Sequence, residues 1–491
     1  MAARAPTVGI KGAFLEAIRM KSGIVGFAIL ISLLAVTVVI PVYAPYDIVR
    51  QWSNVNYWLD NPRVAAPEWT QIFTGKEEPK TTTLASSTFR YVEVRTTIDA
   101  EGQVFNLTLI NASRKFFWTF DGFPSELSME ITAFFPGNTS DVPGESPLIQ
   151  IFWNRPDGQY VLLLQRTIPA REFNLPTTYH LSTDSDVIGN IRDWVQREGV
   201  ISPGNVSQAY IRPETVLFAK MDSHQLDPQE AANLLTGEYQ VVVSYTGFSL
   251  VDTVRPDLTI YGSVYGIAGT DFSRRDLMTG VLWGAPVALA FGVTAAVVVV
   301  LIQAILGAFS GWYGGPIDEF LQRASDFYLI IPILPILIMI ALFYTPGIWA
   351  ILFVVVAFSI VGSTTKVVRS IVLQIREEQF IEAAQSYGAS RGRILFRYIM
   401  PRIMPYTFAL VALSVPAFIF LEASLSFLGL GDPVLPTWGS IIGQAYNEGA
   451  LFYGWWWWVA FPTIGIVYTT VGFALMGYAF DKVLNPRLRE E

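Results

Sequence analysis

Leu277 to Ile317 reads LMTGVLWGAPVALAFGVTAAVVVVLIQAILGAFSGWYGGPI, forty-one residues without a charge. A bilayer hydrocarbon core about 30 Å thick is crossed by about 20 mainly apolar residues at 1.5 Å each, because only a regular hydrogen-bonded segment satisfies its own backbone in lipid. The stretch is long enough for two crossings. Gly311, Gly314, Gly315 and Pro316 interrupt its end, so one long helix over about 280–308 followed by a turn is expected.

The same reading extends outward. Twenty-five uncharged residues separate Lys21 from Asp47; a cleaved signal peptide is the rival there, but the apolar run exceeds the usual 7–15 residues and favours a retained anchor. Tyr344-Thr-Pro-Gly347 splits the gap between Asp326 and Lys366 into a helical hairpin, and further spans are expected over about 404–426 and 457–480. Six spans result.

Composition agrees with a polytopic membrane protein: of 491 residues 52% are hydrophobic and 15% charged, and mean hydropathy is +0.40. The net charge of −8 argues against nucleic-acid binding, which needs a basic face. With no cysteine there is no disulfide framework, thiolate nucleophile or Cys-ligated metal. Two histidines, His180 and His224, leave little for acid–base or metal chemistry, which disfavours an enzyme.

Basic residues in short loops stay on the cytoplasmic side. Arg4, Lys11, Arg19 and Lys21 precede the first span, and Lys366, Arg369, Arg376, Arg391, Arg393, Arg397 and Arg402 lie between spans four and five. Loops 342–348 and 431–455 have none. Six spans place both basic segments and the C-terminal Lys482, Arg487 and Arg489 inside. The expected domains are 1–46 (cytoplasmic N-terminus and first span), 47–258 (extracytoplasmic) and 259–491 (five further spans).

Residues 46–260 carry 16 Lys or Arg and 26 Asp or Glu, net −10. Alternating runs at 89–95, 103–110, 127–133, 160–165 and 239–245, separated by Asp121-Gly122, Pro136-Gly137 and Asp157-Gly158, predict a mainly β, sandwich-like domain. Short helices are expected at about 186–198 and 227–235. The four Asn-x-Ser/Thr sequons, Asn106, Asn111, Asn138 and Asn205, all fall in this segment, as expected of an outside location.

Phe380-Ile-Glu-Ala-Ala-Gln-Ser-Tyr-Gly-Ala-Ser390 and Tyr398-Ile-Met-Pro401 follow the fourth span. Ala383 and Ala384 permit close approach of a short helix to a partner, and Gly388 ends it. The stretch, about 376–401, resembles the Glu-Ala-Ala loop of ABC importer permeases, with Glu382, Ala383, Ala384, Gly388 and Pro401 at the matching positions and Tyr398 and Met400 replacing the usual Ile and Leu. Gly269-Thr-Asp-Phe-Ser-Arg-Arg-Asp276 is similar to a signature of the oligopeptide/dipeptide branch, with Arg274 where that branch has glycine. Glu422 to Gly431 with Pro436-Thr-Trp-Gly439, and Asp481 to Arg487, resemble the same branch. The resemblance covers 1–46 loosely and 261–491 closely.

The resemblance implies the fold of a type I ABC importer permease, multi-pass in the plasma membrane with both termini cytoplasmic. It implies a second permease subunit, one or two cytoplasmic ATPase subunits that hold ATP and magnesium, and an extracellular substrate-binding protein. Glu382 to Gly388 would couple ATPase motion to alternating access. No cofactor is expected in this chain, which lacks the Gly-x-x-x-x-Gly-Lys-Ser/Thr phosphate loop, and no nucleic acid. Peptides, oligosaccharides and nickel are the substrates associated with such permeases.

Glu422 either lines the translocation path or bonds neighbouring groups at the helix end. Asp271, Arg275 and Asp276 read as a gate or as a structural ion-pair cluster. Trp455 to Trp458 read as an interfacial belt, and Gly284, Gly292 and Gly307 as sites of close helix packing. The rival functions are a membrane-anchored receptor or adhesin, for which six spans are excessive, and a secondary transporter, which lacks paired intramembrane charges here.

Overall fold

The computed structural model describes residues 10–100, 103–134, 146–169, 172–198, 211–221, 232–344, 347–432 and 434–484. Two compact units emerge: the residues up to Tyr57 together with those from Leu277 onward, and Trp58–Asp276 between them. The boundaries lie C-terminal to 46/47 and 258/259. Trp52 packs where a Cβ on Gly280 would go, within the first unit. Residues 269–276 belong to the second unit because Thr270 N–H donates to Ala65 O (2.9 Å) and Val64 N–H to Asp271 O (3.0 Å).

The first unit begins with α1 (Ile10–Arg19), α2 (Lys21–Tyr43) and α3 (Tyr46–Arg50). Phe14 of α1 meets Phe27 of α2 edge to face at 5.1 Å.

In the second unit, α4 (Gln71–Thr74) precedes β1 (Thr82–Leu84), β2 (Arg90–Ala100), β3 (Gln103–Trp118), β4 (Glu126–Phe134), β5 (Leu148–Asn154), β6 (Tyr160–Thr167), β7 (Pro176–Tyr179), α5 (Ser185–Arg197), α6 (Pro213–Val216), β8 (Gly237–Gly247) and β9 (Thr253–Tyr261). The strands form two antiparallel sheets, ordered β1-β9-β4-β7 and β2-β3-β8-β5-β6. Alternation sets the buried face: Tyr239, Val241, Val243 and Tyr245 point inward from β8. One hydrophobic cluster draws on both sheets, from Met129 and Leu258 to Ile151 and Val243. Buried Arg155 donates to the carbonyls of Val216, Leu217 and Ala219 at 2.6–3.0 Å, fastening α6 and its following turn to the β5–β6 turn.

Apart from Phe89, which precedes β2, the alternating runs fall within β2, β3, β4, β6 and β8. Strands β1, β5, β7 and β9 lie outside those runs; β9 contains Pro256, whose ring removes a ladder donor. The Pro136-Gly137 turn and most of the expected helix at 227–235 lie outside the described residues, and Asn233 to Leu235 are not helical.

The first unit resumes with α7 (Leu277–Tyr313), α8 (Gly315–Ile330), α9 (Ile333–Tyr344), α10 (Ile348–Phe358), α11 (Ser363–Arg376), α12 (Gln379–Ser386), α13 (Arg391–Ile394), α14 (Met400–Phe427), α15 (Trp438–Asn447) and α16 (Trp456–Leu484). Helix α7 continues through Gly311 and stops only at Gly314 and Gly315, whose φ of 64° and 61° leave the helical region. Four helical stretches are long and apolar enough to cross a membrane: 21–43, 277–313, 391–427 and 456–483. The expected hairpin takes another form. Helices α8 and α9 meet at 73°, and α10 and α11 at 43°. Pro332 occupies the first break and Ser359 to Gly362 the second; the residue before a proline is pushed out of helical conformation.

Small residues let these helices approach. A Cβ on Gly307 would lie 2.5 Å from Thr365 O, one on Gly311 2.9 Å from Arg369 O, and one on Gly292 2.5 Å from Ile419 Cγ1. Without a hydrophobic drive between helices in lipid, such backbone proximity is a main source of association.

Candidate functional site

Helix α12 has two faces. Ile381 and Ala384 are buried in a cluster with Ala304, Ala308 and Trp312 of α7, Val368 and Val372 of α11, and Ile403 of α14. Glu382 and Ala383 are exposed, and Tyr387, just past the helix, is 92% exposed. Glu382 lies in the first turn, where a negative charge complements the helix dipole.

The helix ends in a complete Schellman motif. Gly388 takes φ +77°, its N–H donates to Gln385 O (2.9 Å), and Ala389 N–H donates to Ala384 O (3.1 Å). A Cβ at Gly388 meets no neighbour, so what disfavours other residues is backbone conformation. The Trp312 indole N–H donates to Arg391 O (3.0 Å), and the Arg402 guanidinium lies 3.8 Å from the centroid of the Phe380 ring. A π-helical turn, Leu395–Ile399, follows α13. Pro401 follows directly on this π-helical turn, within the continuous helical stretch 391–427; a proline there cannot donate to the preceding turn, and a π-bulge is one way a helix accommodates that.

Behind α12, Arg369 of α11 grips Asp318 of α8 with two charge-assisted bonds of 2.6 Å. Ser310 of α7 also donates to Asp318, so one carboxylate ties three helices. This carboxylate was not singled out in the sequence, because nothing local distinguishes Asp318 from a solvated charge.

Glu422, near the C-terminal end of α14, is buried, and its Oε1 accepts from the Ser426 hydroxyl at 2.6 Å. Thr437 lies close to the carboxyl and caps α15 in a reciprocal box with Ser440. Next to it, the Trp438 ring fills the space that side chains on Gly284 and Gly465 would occupy, and its indole N–H donates to Val281 O (2.8 Å). Gly439 and Gly443 lie against the backbone of Ala423 and Phe427. The four-residue spacing of Gly439 and Gly443 was the available signal for this packing.

In the second unit Asp271 and Arg275 form a buried ion pair at 2.6 Å, with Arg275 N–H donating to Asp271 Oδ1 at 2.9 Å; Asp276 bridges to Thr270. Arg274 adopts φ +64°, the left-handed region that suits glycine. It is held by Glu126, by Asn61 O at 2.8 Å and over the Tyr261 ring at 4.4 Å. Asn106 and Asn111 are exposed on β3, whereas Asn138 and Asn205 lie outside the described residues. No group of acidic or histidine side chains able to hold a metal occurs among the described residues.

The profile of the binding-protein-dependent transport system inner membrane component family matches residues 303–490. The oligopeptide transport system permease protein OppC of Bacillus subtilis is 35% identical over 225 residues, 45% of this chain and 72% of that protein. The dipeptide transport system permease protein DppC of the same organism is 34% identical over 226 residues, 45% and 68% of the two chains. The glutathione transport system permease protein GsiD of Pectobacterium atrosepticum is 30% identical over 223 residues, 45% and 72%. Apolar helices of spanning length and this likeness together identify a multi-pass membrane protein: the chain belongs to the binding-protein-dependent transport system inner membrane component family, as a permease subunit of the oligopeptide/dipeptide type of ABC importer.

Proposed function

We propose that this chain forms one half of the translocation path of an ATP-driven peptide importer, and that α12 docks on a cytoplasmic ATPase subunit. The observation that carries the reading is the two-faced α12. One side is locked into the helices that would cross the membrane, and the other leaves Glu382, Ala383 and Tyr387 open. A partner moving against that open side would drive α7, α11 and α14 together, because α12 shares their core. Glu382, Ala383, Ala384, Gly388 and Pro401 are force-transmitting positions with no chemistry of their own; ATP and magnesium belong to the partner.

In this reading each bent pair, α8 with α9 and α10 with α11, is one crossing, making six. Both termini are cytoplasmic, and the domain between the first two crossings, a two-sheet sandwich, is outside, where it contacts a substrate-binding protein or shields the pore mouth. A second permease subunit completes the path. Glu422 holds its outer end beside the cap of α15, and the Asp271–Arg275 pair and Asp276 stiffen the approach to α7. The names of the relatives favour peptide substrates.

The chain lacks cysteine, so Tyr387→Cys and Thr97→Cys give clean labelling sites. In intact cells Thr97→Cys should react with an impermeant maleimide and Tyr387→Cys should not. In inverted vesicles co-expressed ATPase subunits should protect Tyr387→Cys. Labelling of Tyr387→Cys in intact cells would reverse the topology; absence of protection by bound ATPase would remove the docking role of α12.

A further inference from the structure

Helix α7 carries a single side-chain amide, Gln303, and no charge. Gln303 is buried, and an amide inside an apolar helix bundle needs a partner because lipid supplies none. Its Nε2 donates to Ser359 O at 2.8 Å. Ser359, itself buried, is the first residue of the break between α10 and α11. In an unbroken helix Ser359 O would accept from Ser363 N–H, four residues on. The extended backbone of Gly362, at φ 169° and ψ −154°, carries the chain out of the helix just before Ser363. The Gln303 amide therefore stands in for a backbone donor that the break removes.

Two neighbours close around the same vertex. The Tyr328 and Ser359 hydroxyls lie 3.0 Å apart, which joins the end of α8 to the break. A Cβ on Gly362 would lie 2.8 Å from Gln303 Nε2 and 3.1 Å from Tyr328 Cε1, so close approach is what calls for glycine here. The two arms of the break are held differently. Helix α11 is fastened to α8 by Arg369–Asp318 at 2.6 Å and by Lys366–Asp326. Helix α10 rests on α7 through apolar side chains, Ile351, Leu352 and Val355 with Val287 and Phe291. Such contacts have no hydrophobic drive in lipid, so the α10 arm is the movable one and the polar bond at the vertex sets its angle.

We propose that Gln303 is a positioning residue that latches α10–α11 in its bent form, and that transport proceeds by release of this latch. Straightening would return Ser359 O to the Ser363 N–H and strand the Gln303 amide, whereas in the bent form amide and carbonyl satisfy each other. The amide thus biases the segment toward the bend. Helix α10 has 11 residues, about 16 Å at 1.5 Å each. Removing the 43° bend would swing its far end by roughly 12 Å. Since α10 already packs against α7, the swing is away from it. Val368 and Val372 of α11 pack with Ile381 and Ala384 of α12, so a force on α12 reaches the latch through α11. That last step rests on the docking role of α12 proposed above; the latch itself does not.

The latch is tested by electron–electron double resonance on the full-length chain in nanodiscs, spin-labelled at Thr294→Cys of α7 and Trp349→Cys of α10, both exposed. Gln303→Met keeps the side-chain length and removes the donor. Gly362→Ala keeps Gln303 but places a Cβ against its amide. Each should lengthen the 294–349 distance by roughly 5 Å or more, a part of the full swing, and the two together should do no more than either alone. Tyr328→Phe should leave it within about 2 Å, because the Ser359 hydroxyl can turn to a carbonyl of its own helix. An unchanged distance in Gln303→Met, or an equal shift in Tyr328→Phe, overturns the latch; should Gln303→Met fail to insert, Gly362→Ala decides by the same criterion. No ATPase enters this measurement, so it reads the latch whatever the Tyr387→Cys protection assay shows. In the assembled transporter Gln303→Met should lower uptake per ATP hydrolysed roughly five-fold or more with Tyr387→Cys protection kept. Unchanged uptake per ATP despite a lengthened distance overturns the part of the latch in transport.

Discussion

Arg274→Gly opposes two effects of known sign. Arg274 is an L residue at φ +64°, a conformation that costs roughly 1–2 kcal/mol and that glycine adopts freely. Its guanidinium is almost fully buried and serves Glu126, Asn61 O and the Tyr261 ring. Deleting one partner of a buried ion pair costs about 3–5 kcal/mol, because the other charge stays desolvated. The loss should win by about 1–4 kcal/mol. Each 1.4 kcal/mol is tenfold, so amides of β4 and β9 should exchange with deuterium roughly 5- to 700-fold faster in the full-length protein. Adding Glu126→Gln removes the stranded charge and should recover at least half of the loss. A neutral or stabilising Arg274→Gly would show that backbone strain dominates and refute the reasoning.

Gly388→Val places a β-branched residue at φ +77° and should weaken the α12 terminus by about 1–2 kcal/mol. Membrane insertion should persist while substrate-stimulated ATP hydrolysis in the assembled transporter falls, and Gly388→Asn should be milder because asparagine tolerates this conformation. Gly439→Val would drive a side chain into the Ala423 carbonyl, 2.2 Å from the Cβ position; a drop in thermal stability worth roughly 1–3 kcal/mol is expected, and an unchanged Tm would disprove the close α14–α15 contact. Burial pushes the Asp252 carboxyl above its usual range, against the Tyr245 hydroxyl, the Ser249 N–H and Arg95. The folded state then holds its proton more tightly than the unfolded one, so this carboxyl's contribution to stability falls as pH rises from the ordinary aspartate value through the raised one. The Tm of wild type relative to Asp252→Asn should rise on acidification across that window, and a constant difference would contradict the raised value.

Helices of spanning length were legible because lipid forbids unpaired backbone groups: a long charge-free window such as 277–317 has few other uses. The end of α12 was equally legible, since Gly388 supplies locally the one backbone conformation that a Schellman turn requires. The β-rich character of the second unit followed from period-two alternation in runs such as 239–245. Tertiary structure decided what depends on distant partners. The order β2-β3-β8-β5-β6 places β8 beside β3 across more than a hundred residues, and no local pattern encodes that pairing. The bends at Ile331–Pro332 and Ser359–Gly362 set how the third and fourth apolar segments run, which a hydropathy window averages away. Glu422 stood as an isolated acid until the fold brought Thr437 to it, and Asp318 as a surface charge until Arg369 and Ser310 closed around it. Arg274 was a departure from a glycine position, and only three-dimensional contact supplied the carboxylate, carbonyl and ring that make an arginine tenable there. Local backbone chemistry is written residue by residue, whereas the worth of a buried charge is set by whatever the rest of the chain places within hydrogen-bonding distance.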